Sequence, residues 1–282
     1  MSCETPPRQI DITLSDPRPI GVFDSGVGGL TVLDAIRRRL PAESTIYFGD
    51  LANCPYGTRS QDEVRRFALD IGDHLGQQDI KALVIACNTA TAAAYPRLQD
   101  RYAFPVIGVI EPGARAAVHV SRTKRIGIVA TKGTIESGAY RAAILAQAPG
   151  ATVVERSASW LVPLIEAGPD ARSSVGMRLQ PLIEDICSEG VDTLILGCTH
   201  FPLISDVFQR HMSDGVTMLD SAETTALELA TLLETSALCS NGQAVQSFLV
   251  TGPASAFEER ARAMFGASPN IEAVSLGVAH AT

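Results

Sequence analysis

Short apolar runs rich in Val, Ile and Phe alternate along the chain with longer segments whose apolar residues recur at helical spacing. That alternation predicts an α/β fold with parallel or mostly parallel sheets. Residues 20–24 read as the first strand, and a helix over 30–40 stops at Pro41. Residues 44–48 read as a second strand, 63–77 as a helix and 82–86 as a third strand. Residues 106–110 follow the next helix as a strand, and Glu111-Pro112-Gly113 reads as a crossover.

The pattern then restarts. Arg125-Ile-Gly-Ile-Val-Ala130 echoes Pro19-Ile-Gly-Val-Phe-Asp24 106 residues later, residues 152–155 stand where the second strand stood, and 193–196 repeat the third strand 111 residues on. Recurring order and spacing predict a structural repeat. Residues 177–189 form a helical run, and from about residue 221 an Ala/Leu/Glu helix, a strand at 248–251 and a final helix at 256–265 are expected to pack back on one half. The organisation expected is therefore a flexible extension over 1–19, a first α/β domain over 20–112 plus 221–282, and a second over 113–220.

In open parallel sheets, ligands sit beyond the carboxyl ends of the strands. Asp24, Cys87 and Cys198 all fall at such ends. Two similar half-domains facing each other would bring those ends to one interdomain cleft.

At 282 residues, with 46% hydrophobic and 19% charged positions, the chain has the composition of a globular protein with ample core. A net charge of −8 argues against nucleic-acid binding as its main business. No apolar stretch reaches the ~20 residues that cross a bilayer. The first residues lack the basic and apolar regions of a signal peptide, so a cytoplasmic protein is expected. The six cysteines, Cys3, Cys54, Cys87, Cys187, Cys198 and Cys239, show no CxxC or metal-ligand spacing. Free thiols are the expectation, Cys187 and Cys239 as small packed hydrophobes.

Three segments carry candidate chemistry. Asp24-Ser25-Gly-Val-Gly28-Gly29 follows a strand and opens a helix, so its amides can approach an anion. It lacks the lysine of a P-loop and the spacing of a dinucleotide fingerprint, and a plain tight turn reads equally well. Cys87-Asn88-Thr89 and Cys198-Thr199-His200 each deliver a thiol at a strand end, with hydrogen-bonding residues suited to a carboxylate or ammonium group. Alone, either is a packed cysteine before a helix cap; two at equivalent points of a repeat point to chemistry. Two thiols and a histidine without a fourth ligand make a poor zinc site. Asn53-Cys54-Pro55-Tyr56-Gly57 lies on a loop, where Tyr56 serves binding or packing equally well.

Together, IGVFDSGVGGLTVL, YFGDLANCPYG, ACNTATAAA, IVATKGTIESGAY, VPLIEAG, LILGCTHFPLI and FLVTGP resemble the glutamate racemases of the aspartate/glutamate racemase family, in order from about Ile20 to Phe265. The resemblance implies two α/β domains about a pseudo-twofold axis with the substrate between them. It implies racemisation of L- and D-glutamate without a cofactor or a metal, a role in peptidoglycan synthesis, and a homodimer. The related two-cysteine aspartate racemases are the nearest alternative, and CPYG with GCTHFPL favours glutamate. Some glutamate racemases also inhibit DNA gyrase, which the acidic chain permits without indicating.

Carried over residue by residue, the resemblance makes Cys87 the thiol that takes the α-proton from D-glutamate and Cys198 the one serving L-glutamate. Asp24 matches the acid beside the first thiol, while His200 and Glu166 match groups assisting the second. Substrate contacts are implied for Asp24, Ser25, Tyr56, Gly57, Asn88, Thr89, Thr131, Thr134, Thr199 and His200. Where the family often reads Ala-Cys-Pro upstream of VPLIEAG, this chain has Ser157-Ala158-Ser159-Trp160, which puts packing near Glu166 in question. A pyridoxal racemase would tether its cofactor through a lysine. Of Lys81, Lys124 and Lys132, only Lys132 is placed for that.

Overall fold

The computed structural model describes residues 15–168, 172–266 and 270–276. Cys3 and the first fourteen residues of the expected extension lie outside them. Ten strands and eleven α-helices are described, and all strand pairings among them are parallel.

The first sheet is built from β1 (Ile20–Asp24), β2 (Thr45–Gly49), β3 (Ala82–Ile85) and β4 (Val106–Gly108), linked by α1 (Leu30–Arg39), α2 (Gln61–Gly76) and α3 (Asn88–Arg101). After α4 (Ile110–Val120) the second sheet forms from β5 (Arg125–Ala130), β6 (Thr152–Ser157), β7 (Thr193–Gly197) and β8 (Thr217–Asp220). Its connections hold α5 (Lys132–Ser137), α6 (Ala139–Gln147), α7 (Leu161–Glu166), α8 (Arg172–Ser188) and α9 (Ser205–His211). The chain then returns through α10 (Ser221–Thr235), and β9 (Gln246–Val250), α11 (Ser255–Phe265) and β10 (Ile271–Ala273) extend the first sheet past β2.

The strand orders are β10-β9-β2-β1-β3-β4 and β6-β5-β7-β8. Within each repeat, therefore, the first strand lies between the second and the third. The winding direction reverses beside β1 in one sheet and beside β5 in the other, and such a switch point opens a crevice at the carboxyl ends. The expected repeat is present, with Cys87 following β3 and Cys198 following β7.

β1, β3 and β7 are buried throughout, as central parallel strands covered on both faces must be. Ile20 and Val22 pack with α1, α10 and α11, while Phe23 points to the opposite layer under α2 and α3. α7, α8 and α9 cover one face of the second sheet, and α4 and α6 the other.

Two features correct the reading of the chain. Glu111-Pro112-Gly113 is not a crossover but the first turn of α4, and the strand before it ends at Gly108. Proline is tolerated there because first-turn N–H groups have no intrahelical partner to lose. β8 and β10, four and three residues long, escape a pattern search because neither carries a continuous apolar run.

Residues 15–19 are tied down. The Asp16 amide donates to Cys239 O at 3.1 Å, and Lys81 Nζ donates to Asp16 O and Leu238 O, both at 2.7 Å. Lys81 is wholly buried and pairs with Glu43 at 2.5 Å.

Candidate active site

The carboxyl ends of β1, β3, β5 and β7 bring their loops to one narrow cavity of about 20 Å³. Ser25, Tyr56, Gly57, Cys87, Asn88, Thr89, Thr131, Cys198, Thr199 and His200 line it, all buried. Pro55 and Val162 complete the wall. Neither stood among the expected contacts, although both lie inside the CPYG and VPLIEAG segments. Asp24, Thr134 and Glu166 do not line the cavity; each reaches it through a neighbour.

Cys87 sits at the N-cap of α3 in an extended conformation, with its sulfur 4.0 Å from Ser25 Oγ. Burial pushes its thiol up well above the ordinary value, and the nearby Asp24 charge adds to this. The Ala90 and Ser25 amides work the other way. Asp24, wholly buried, accepts from the Gly26 and Gly29 amides at 3.1 and 2.9 Å through Oδ2, and its Oδ1 has no hydrogen-bond partner. One carboxylate oxygen is therefore fixed by two backbone amides and the other is unpartnered.

The Cys198 side is built differently. Cys198 Sγ lies 3.9 Å from His200 Nδ1, and His200 Nε2 lies 2.9 Å from Glu166 Oε1. Burial alone would push the imidazole down, but hydrogen bonds to Cys198 and Glu166 carry it up to about 10. The bond from His200 holds Glu166 below the usual carboxylate range, against the effect of burial. An imidazolium beside Cys198 can balance negative charge on sulfur.

The loops interlock where the two sheets meet. Thr89 Oγ1 lies 2.9 Å from Thr131 Oγ1 and 3.3 Å from Thr134 Oγ1, and the latter two are 3.0 Å apart. Gln61 Nε2 donates to Gly133 O at 2.8 Å, and Thr31 Oγ1 donates to Thr199 O at 3.2 Å. A Cβ on Gly28 would stand 2.4 Å from His200 Nδ1, and one on Gly57 would stand 2.7 Å from Thr131 Cβ, so only glycine lets the loops approach this closely.

Tyr56 places its ring against Phe67 and donates its hydroxyl to Asp50 Oδ2 at 2.6 Å. It therefore shapes the cavity wall with its hydroxyl already engaged. Ser157-Ala158-Ser159-Trp160 packs soundly: Ser159 Oγ accepts from the Lys132 amide at 2.7 Å, and the Arg178 guanidinium lies 4.2 Å from the Trp160 ring centre. Cys54 Sγ is 4.0 Å from Glu166 Oε1, close to the site but off its wall. Among the described residues no cluster of three or more His, Cys, Asp or Glu side chains could hold a metal ion, and no helix is long and apolar enough to cross a membrane.

A family model described as Asp/Glu/Hydantoin racemase matches residues 20–229. The glutamate racemase of Geobacter metallireducens is 48% identical over 216 residues, spanning 77% of this chain and 80% of that protein. The glutamate racemase isoform RacE1 of Bacillus anthracis superposes with a TM-score of 0.89 at 40% identity, covering 92% of this chain and 98% of that one. The glutamate racemase of Francisella tularensis, solved in complex with D-glutamate, gives a TM-score of 0.84 at 33% identity over 93% of this chain and 98% of its own. With its paired sheets, its two strand-end thiols and these relatives, the chain belongs to the Asp/Glu/Hydantoin racemase family and stands among its glutamate racemases.

Proposed function

We propose that this isomerase interconverts L- and D-glutamate through Cys87 and Cys198, one acting as base and the other as acid, with the roles exchanged between directions. The observation that carries this reading is that two buried thiols from equivalent strand ends of two sheets line one cavity. The α-proton of an amino acid is only weakly acidic, so the developing carbanion needs its carboxylate stabilised. Ser25, Asn88, Thr89 and Thr199 place hydroxyl, amide and backbone donors around that cavity. These lining residues are buried, and the lower dielectric there strengthens each of these interactions.

The two sides suit different resting states. Cys87, buried beside Asp24, is the natural neutral thiol, ready to donate a proton. Cys198, facing an imidazolium backed by Glu166, is the natural partner to accept the α-proton of L-glutamate. In the reverse direction, Cys87 takes the proton from D-glutamate as a thiolate, with Asp24 the nearby acid.

No lysine chemistry enters this reaction. Lys81 is buried against Glu43, Lys124 Nζ caps the Val118 and Ser121 carbonyls, and Lys132 extends along an exposed helix face toward Glu136. The D-glutamate formed serves peptidoglycan synthesis.

The test is isotopic. Cys87→Ser and Cys198→Ser should each lower racemisation by ~10³-fold while melting stays near that of the unaltered protein. In deuterated water each enantiomer should gain deuterium in its inverted product, not in recovered substrate. Early labelling of recovered substrate, or a single variant with near-normal racemisation, overturns the two-thiol reaction.

A further inference from the structure

Asn88 lines the cavity next to Cys87, yet its amide is oriented from the other half of the molecule. Tyr140, on α6, donates its hydroxyl to Asn88 Oδ1 at 2.7 Å. Ser221 Oγ, at the start of α10, donates to the same oxygen at 3.3 Å and lies 3.3 Å from the Tyr140 hydroxyl. Both hydroxyls converge on one end of the amide, its Oδ1. The other end, Nδ2, is then a buried donor without a protein partner. A buried amide that leaves a donor unpaired costs free energy, which a ligand acceptor in the cavity would recover.

Tyr140 has little freedom to do otherwise. It is 1% exposed, and Cβ atoms on Gly113 and Gly197 would stand 3.4 Å from its hydroxyl and 3.1 Å from its ring. Glycines on α4 and β7 thus form the slot that holds the phenol. Burial keeps the hydroxyl protonated and so a donor, although the bond to Ser221 works slightly the other way.

We infer that Tyr140 is a positioning residue that turns the Asn88 amide so that Nδ2 faces a carboxylate of the bound substrate, making the carboxylate subsite beside Cys87 depend on the docked second half. This inference rests on the reading of the cavity as the glutamate site. It assigns Tyr140 no contact with the reacting atoms. It does explain why a tyrosine of the IVATKGTIESGAY segment, far from either thiol in sequence, is buried with its hydroxyl on a cavity residue.

The experiment is a double-mutant cycle read by calorimetric binding of D-glutamate and by steady-state rates. Tyr140→Phe keeps the ring and should weaken binding and raise KM about tenfold, with a smaller change in kcat. Asn88→Ala should weaken binding at least as much, and adding Tyr140→Phe to it should cost nothing more, because the hydroxyl then has no amide to turn. Full additivity of the two losses, or Tyr140→Phe binding D-glutamate like the unaltered enzyme, overturns the positioning role alone. Asn88→Asp keeps an oxygen for Tyr140 but replaces the donor with an acceptor, and should abolish binding with little change in melting. Unaltered binding by Asn88→Asp removes the donor role even if Tyr140→Phe fails to fold. Absence of D-glutamate binding by the unaltered enzyme overturns the reading of the site and this inference with it.

Discussion

His200 faces a sulfur through one ring nitrogen and a carboxylate through the other, and both contacts favour its charged form. Its folded value is raised to about 10 from an ordinary 6.5, so the stability it contributes is full below about pH 6.5 and is lost as pH rises toward 10. Glu166 is lowered, so its contribution is present above the ordinary carboxylate value and is lost as pH falls through the lower folded one. The pair is thus most stable between these limits. Glu166→Gln removes the carboxylate that helps hold the proton on His200. The alkaline fall in the rate of L-glutamate turnover should therefore begin at lower pH in that variant. Initial rates across neutral and alkaline pH check this, and an unmoved alkaline limb would assign that proton elsewhere.

Between residue and fold stand loops that must approach without clashing and turns that must close. Gly28, in the DSGVGG loop, lies against His200 and Thr199 from the other sheet. Gly28→Ala puts its methyl within 2.5 Å of Thr199 Oγ1, at the seam and in neither core. Folding should survive while kcat/KM falls about 100-fold through misplacement of His200, measurable by melting and rate assays side by side. Asp192 works at the opposite end of the second sheet. Its carboxylate accepts from Ser121 Oγ at 2.6 Å, from the Arg122 and Thr123 amides at 2.8 and 2.7 Å, and from the Thr123 and Thr193 hydroxyls. These bonds hold it well below the usual carboxylate range, even against the cost of burial. Its stabilisation is therefore present at neutral pH and is lost only in strong acid. Asp192→Asn puts an amide NH₂ against donors and should cost about 2 kcal/mol in denaturant unfolding at neutral pH. An unchanged midpoint would show that this turn closes without the charge.

Across the whole molecule, the two sheets close on a cavity whose thiols are 5% and 6% exposed. A charged amino acid cannot reach them unless the seam parts. Among the bonds that join loops of opposite sheets are the Thr89–Thr131–Thr134 hydroxyl cluster and the Gln61–Gly133 contact, and entry is expected to open these. Bound D-glutamate should therefore slow amide hydrogen exchange at residues 56–58 and 131–134 more than in β1 or β7, which are protected already. Equal protection everywhere would mean that entry does not use this seam.

The repeated pattern of apolar runs already determined the two parallel sheets, because strand and helix periods are local properties of the chain. The strand-end position of Asp24, Cys87 and Cys198 was legible for the same reason, and the ordered motifs pointed to the racemase family. Glu111-Pro112-Gly113 misled because proline looks like a breaker yet costs nothing in a first helical turn. Tyr56 was undecided because only tertiary packing shows where a hydroxyl finds its partner, here Asp50. Pro55 and Val162 line the cavity through shape alone, which no residue type announces. The sequence by itself thus determined the elements and which residues stand at their carboxyl ends. Tertiary structure alone decided that the two thiols share one cavity, that Glu166 reaches Cys198 through His200, and that Tyr140 turns Asn88. Each of these depends on distances between residues far apart in the chain, and such distances exist only once both sheets have formed and closed against each other.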